Sequence, residues 1–154
     1  MADVKPIPEG YPRITPYLMV DGAAEAIDFY CNVLGAKERM RMDAPGGKIG
    51  HAEIEFGDSV VMLADQSEDH NAFSPKTVGG TPVMISLYVE DVDAVFSAAL
   101  EAGATEERAL EDQFYGDRTG GFQDPFGHRW HVATHIEDVP PEEMEKRAAA
   151  AMSG

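Results

Sequence analysis

The chain has 154 residues, 44% of them hydrophobic, which is enough apolar content for one domain, or two small modules, to bury a real core, and it excludes global disorder. Lys and Arg number 12 against 28 Asp and Glu, a net charge of −16. So acidic a surface repels nucleic acid and anionic membranes and would attract a cationic small molecule. No apolar run approaches the roughly 18 residues needed to cross a bilayer, and the start lacks a leader pattern, so a soluble, cytoplasmic protein is expected. The single cysteine, Cys31, excludes an intrachain disulfide and reads as a small core residue.

Residues 1–12 hold Pro6, Pro8, Gly10 and Pro12 and predict an irregular, flexible lead-in. Residues 13–20 predict a strand in which Pro16 marks an edge or a bulge. Asp21 is placed to cap a helix over 22–34, where Ala23, Ala26, Ile27 and Tyr30 keep the three-four spacing and Gly35 stops it. Strands follow over 36–43, 49–56 and 59–64, the last two joined across Gly57-Asp58. Residues 66–82 lack periodicity and read as a loop. A strand over 82–89, a helix from Asp91 to about Ala102, and a weak strand near 104–110 come next. After an acidic, aromatic loop at 111–117, strands at 119–123 and 128–134 flank Asp124-Pro125-Phe126-Gly127, a tight turn, and so form a hairpin. Residues 136–154 predict a helix over 142–150 and a tail, with acidic residues ahead of Lys146 and Arg147 as the helix dipole favours.

The pattern repeats. Leu18-Met19-Val20 and its helix start match Leu87-Tyr88-Val89 at an offset of 69, and Gly35-Ala36-Lys37-Glu38 matches Gly103-Ala104-Thr105-Glu106 at 68. The chain therefore reads as an α+β domain over 13–135 made of two βαβββ modules, 13–65 and 83–135, whose open sheets form cups.

Alternation assigns faces. Ala52, Ile54, Val61 and Leu63 should pack on the first helix, leaving His51, Glu53, Val60 and Met62 on the concave side. In the second module Val83, Ile85, Leu87 and Val89 go to the helix side, and Met84, Ser86 and Tyr88 to the cavity. If Asp124 to Gly127 is a four-residue turn, Gln123 faces His128 and Phe122 faces Arg129. His131, Arg129, Phe122 and Arg118 would then face the cavity, with Trp130 and Val132 on the core side.

His51 and Glu53 could act as an acid–base pair, help hold a metal with His131, or form a buried ion pair that holds the sheet. Arg118 either pairs with Asp117 or binds a carboxylate or phosphate of a ligand. Tyr88 and Phe122 could stack on an aromatic ligand or complete a small core. Met62 and Met84 read as apolar wall. His128 and His135 read as surface or capping groups and His70 as solvated. Phosphate loop, nucleophile elbow and dinucleotide fingerprint are all missing from the sequence.

The paired modules, with the stretch from Asp124 to Trp130 in the second, resemble the vicinal oxygen chelate superfamily, which includes glyoxalase I, extradiol dioxygenases, and fosfomycin and bleomycin resistance proteins. Ile14-Thr15-Pro16-Tyr17-Leu18, Ala26 to Tyr30, His51-Ala52-Glu53, Gly116-Asp117-Arg118 and Ala133-Thr134-His135 resemble its PhnB-like branch, over about residues 13–147. The resemblance implies the glyoxalase/bleomycin resistance/dioxygenase fold and a homodimer. It also implies four metal positions, which fall on Thr15, Met62, Met84 and His131. Only His131 suits a hard or borderline divalent ion, and methionine prefers soft metals. No cofactor is therefore expected, although a divalent metal at a relocated site is left open. The expected function is metal-free binding of an amphipathic or cationic small organic molecule, with Met62, Met84, Tyr88, Arg118, Phe122 and Arg129 as the ligand-binding set. The alternative is an enzyme of the lyase, isomerase or dioxygenase type using His131 with His51 and Glu53.

Overall fold

The computed structural model describes residues 3–153. The first two residues of the expected lead-in and the last residue of the expected tail lie outside that range. The chain divides after Gly80 into two compact units.

The first unit runs β1 (Tyr17–Val20), α1 (Ala23–Leu34), β2 (Lys37–Ala44), β3 (Lys48–Phe56) and β4 (Ser59–Asp65). Its sheet order is β1-β4-β3-β2, with β1 parallel to β4 and the other pairs antiparallel. Pro16 sits just before the edge strand β1, where its missing N–H leaves no gap in the ladder, and its carbonyl accepts from the Met62 amide at 2.9 Å. The two-residue turn sets the expected register: Ile54 pairs with Val61 and Glu53 with Met62. Ala52, Ile54, Val61 and Leu63 are buried, as are Ala26, Ile27 and Tyr30 on α1.

Asp21 does not cap α1. Gly22 occupies that position at φ 104, a left-handed conformation that glycine adopts without strain. The missing acceptor comes from the end of β4, where Asp65 Oδ1 accepts from the amides of Gly22 and Ala23 at 2.9 and 3.0 Å, and Oδ2 from Ile49 at 2.8 Å. Burial would raise the Asp65 carboxyl, but these three backbone donors outweigh it and hold it below its ordinary value. At the end of the first unit, the stretch read as bare loop contains a 3-10 turn at Glu68–His70 and a short α2 (Pro75–Val78), capped by Ser74. Elements that short carry no hydrophobic period, though Ser-Pro is a helix-start signal.

The second unit runs β5 (Met84–Tyr88), α3 (Val92–Glu101), β6 (Thr105–Asp112), β7 (Asp117–Gln123), β8 (Arg129–His135) and α4 (Pro141–Met152), with sheet order β5-β8-β7-β6. Asp91 caps α3 through the Ala94 amide at 3.1 Å. Val83, expected on the helix side, is exposed just outside β5.

The hairpin register differs by one residue from the expected one. Asp124 pairs with His128 and Gly127 is left-handed at φ 96, so the loop has three residues rather than four. An odd loop shifts every facing pair: Gln123 faces Arg129, Phe122 faces Trp130 and Gly121 faces His131. Phe122 therefore turns to α3, fully buried, with its ring centroid 6.4 Å from that of Phe96. Arg118 turns the same way and binds both oxygens of Asp93 on α3 at 2.9 Å and Asp112 at 3.0 Å.

Adjacent glycines of β7 consequently have opposite duties. A Cβ on Gly120 would lie 2.9 Å from the Phe96 ring and 3.1 Å from Leu110, whereas one on Gly121 meets only Arg108, at 3.5 Å. Gly120→Ala is expected to cost about 1–3 kcal/mol by overpacking, and Gly121→Ala to stay near wild type in urea unfolding. Equal losses in the two variants would contradict the face assignment.

Candidate functional site

Each unit has one sheet face that its helix leaves uncovered. In the first unit, the register lays Tyr17, Met62, Glu53 and Met40 side by side across β1, β4, β3 and β2. Met42 is paired with His51 on the same face. An apolar, thioether-rich floor therefore surrounds one carboxylate and one imidazole.

These polar groups form a chain. His51 Nε2 lies 2.8 Å from Glu53 Oε2, His51 Nδ1 lies 2.7 Å from the Tyr17 hydroxyl, and Tyr11 donates to Glu53 Oε1 at 2.7 Å. Glu53 is only 4% exposed. Burial alone would raise its carboxyl, but the hydrogen bonds from His51 and Tyr11 outweigh burial and hold it below its ordinary value. Ionised Glu53 can only accept, so it takes the Nε2 proton of His51. Nδ1 is then free to accept from Tyr17. Burial and the nearby Glu53 charge push the Tyr17 phenol up, so it stays protonated and acts as a donor. Tyr17 is 45% exposed and is the solvent end of the chain. Tyr11 belongs to the lead-in. Arg39 stacks 4.8 Å over its ring and donates to the Gly10 carbonyl at 3.1 Å, which ties that segment to the sheet.

In the second unit, Met84, Ser86 and Tyr88 share the uncovered face with Arg129, His131 and Ala133, as expected from the alternation. A cavity of about 340 Å³ lies here, lined by Met84, Glu107, Arg108, Gly121, Arg129, Trp130 and His131. Arg129 Nε binds Glu107 at 2.9 Å. Ser86 Oγ is 3.5 Å from His131 Nδ1, a long contact. Beside the cavity, Tyr88 donates to Asp117 at 2.6 Å, and His135 bridges Asp117 and Asp138 at 2.8 and 2.7 Å. His135 is thus an ion-pair partner of two carboxylates, which raise its pKa, Asp117 most of all. Asp117 pairs with Tyr88 and His135, not with Arg118.

The structure therefore brings His51 to Glu53, and Met84, Arg129 and His131 to one cavity. It moves Arg118 and Phe122 to the core side. Tyr11, Tyr17, Met40, Met42, Glu107 and Arg108 are additions. The alternation of Met40-Arg41-Met42 carried a signal for two of them. Tyr11 and Arg108 had none, because each is placed by an irregular segment or a register shift in β6.

The four metal positions that the resemblance implies fall two in each unit, Thr15 and Met62 in the first and Met84 and His131 in the second. Thr15 is half-buried ahead of β1, and the rest of the set is one imidazole and two thioethers, which do not suit a hard divalent ion. Among the described residues, His, Cys, Asp and Glu side chains nowhere gather in a group of three or more able to hold a metal ion.

Residues 11–132 match the family model described as the Glyoxalase/Bleomycin resistance protein/Dioxygenase superfamily. The uncharacterized protein Mb0911c of Mycobacterium bovis is 46% identical over 145 residues, covering 92% of this chain and 93% of its own. Protein PA1353 from Pseudomonas aeruginosa shares the fold at a TM-score of 0.68, with 26% identity over 82% of this chain and 99% of that one. A PhnB protein from Bacillus cereus shares it at 0.63, with 20% identity over 80% and 99%. With most of its length matched in sequence and in fold, the chain belongs to the glyoxalase/bleomycin resistance protein/dioxygenase superfamily.

Proposed function

We propose that this protein binds a small organic molecule in the cavity of its second module, without the metal centre that the superfamily resemblance implies. The observation that carries the reading is the cavity itself. Its volume of about 340 Å³ falls at the lower end of small-molecule sites, and it combines an apolar wall at Met84 with a few convergent polar groups. The donor set at Thr15, Met62, Met84 and His131 supports the metal-free part. Edge strands at β1, β2, β5 and β6 favour a homodimer that covers some of them. The lone Cys31 suits a reducing compartment such as the cytoplasm.

The test uses tag-free protein. A panel of small aromatic acids, amides and amines should raise the melting temperature of wild type and fail to do so in Gly121→Leu, whose side chain fills the cavity floor. Equal shifts in both proteins would overturn the cavity assignment. Stoichiometric bound metal, lost in His131→Ala, would overturn the metal-free reading. Sedimentation as a monomer at every concentration would remove the dimer.

A second reading, an enzyme of the lyase, isomerase or dioxygenase type, draws on the Tyr17–His51–Glu53 chain. There Glu53 holds the Nε2 proton and orients the imidazole, so the Tyr17 hydroxyl passes its proton to His51 Nδ1 as its oxygen takes one from the substrate. His131 belongs to the other module and has Ser86 as its neighbour. Turnover lost in both Tyr17→Phe and His51→Gln would favour this reading. Turnover unchanged in both variants would remove the assigned residues.

A further inference from the structure

The geometry points to a carboxylate as the group that the second module's cavity recognises, so that its ligand is a small amphipathic organic acid. This rests on the reading that the cavity binds a small molecule, and it reverses the cationic preference that net charge alone suggests.

Cations are scarce in this chain, 12 against 28 acidic residues, yet two arginines line this one cavity. Arg108 has no hydrogen-bond or ion-pair partner among the described residues. Its stem crosses Gly121 on the uncovered face, close enough that a Cβ there would touch Arg108 Cβ and Cγ at 3.5 and 3.7 Å. Arg129 engages Glu107 through Nε alone, leaving its two terminal nitrogens without a partner among the described residues. Among the described residues the one hydrogen-bond contact of His131 is the long one between Ser86 and Nδ1, and Nε2 makes none. Glu107 neutralises one arginine, so one positive charge remains in the cavity. A planar carboxylate fits the planar fork of a guanidinium through two parallel hydrogen bonds, and the imidazole supplies a further donor. Met84 gives the apolar wall for the rest of the molecule.

Phenylacetate, phenylacetamide and phenethylamine share a ring and differ in the charge of the tail. Each is titrated into the wild-type protein while backbone amide resonances of Gly121 and His131 are followed. Phenylacetate is expected to bind at least about tenfold more tightly than phenylacetamide, the worth of one charge-assisted hydrogen bond. Phenethylamine should be weakest. Arg108→Gln should raise the phenylacetate dissociation constant about tenfold and leave phenylacetamide unchanged. Arg118→Gln, which alters an arginine outside the cavity, should change neither. If phenylacetamide or phenethylamine moves these resonances at lower concentration than phenylacetate, or Arg108→Gln weakens all three alike, the carboxylate assignment is overturned and cavity binding stands. If none of the three moves them, both readings fall.

Discussion

Asp124→Ala is expected to remove about 3–5 kcal/mol of stability, the scale at which breaking a buried charged hydrogen-bond network operates. Asp124 is only 3% exposed. Its Oδ1 accepts from the amides of Phe126 and His128 at 2.9 and 3.0 Å, and Oδ2 from Trp130 Nε1 at 2.9 Å. One carboxylate thus closes the three-residue loop and fixes the indole beneath the sheet. Alanine leaves all three donors without this acceptor. Asp124→Asn keeps one oxygen but turns an amide N–H₂ toward one set of donors, so its loss should be intermediate. Urea unfolding followed by the fluorescence of the chain's only tryptophan reads both stability and the setting of Trp130. A loss below about 1 kcal/mol in the alanine variant, within the range of an ordinary exposed substitution, would show that the carboxylate does not organise the hairpin.

Glu53→Ala is expected to cost about 2–4 kcal/mol, because it removes an acceptor shared by two hydrogen bonds in a nearly dry position. Its pH signature is more specific than its size. The Glu53 carboxyl is held below its ordinary value of 4.5 by His51 and Tyr11, against the opposing effect of burial. A depressed carboxyl contributes its full stability above the unfolded value, and loses it as pH falls through the lower folded value. The stability difference between wild type and Glu53→Gln should therefore be constant above about pH 6 and shrink as pH falls below 4.5. Taking the difference also cancels most of the change in general repulsion as the other acidic groups protonate. A difference that does not change through the acid range would mean that Glu53 holds no stabilising charge. Asp65 and Asp117 are depressed in the same direction and should add to acid sensitivity in the wild type. His135 is raised, so its contribution runs the other way: present below its ordinary value of 6.5 and lost as pH rises through the folded one.

Fold and module repeat are legible in the sequence because they rest on short-range rules. The alternation of Ala52, Ile54 and Phe56, the two-residue turn at Gly57-Asp58 and the stop at Gly35 each need only a few neighbouring residues. Faces in the first module follow correctly from that. The hairpin fails at one step of reasoning: Asp-Pro-Phe-Gly marks a turn, but its parity depends on whether Asp124 sits inside the loop or pairs with His128. That decision sends Phe122 and Arg118 to the core and changes the apparent ligand set. The cap at α1 fails for another reason, since the residue that supplies it, Asp65, lies 43 positions after Gly22. Tyr11 and Arg108 enter their sites from an irregular segment and a bulged strand, where periodicity carries no information.

The Asp65 latch has a counterpart 69 positions on. Thr134 Oγ1, near the end of β8, accepts from the Val92 amide at 2.9 Å and donates to the Val89 carbonyl at 2.8 Å. In both modules, then, the start of the early helix is finished by the last strand to leave the ribosome. That couples a local event, helix formation, to the longest loop closure in the module, and such coupling slows folding while making it all-or-none. A nascent chain that has emerged only as far as β3 would hold α1 with frayed first-turn amides, and the half-made module would not persist as a stable fragment. Each module is in this sense its own proofreader, because the helix is completed only when the final strand has found its place beside the first.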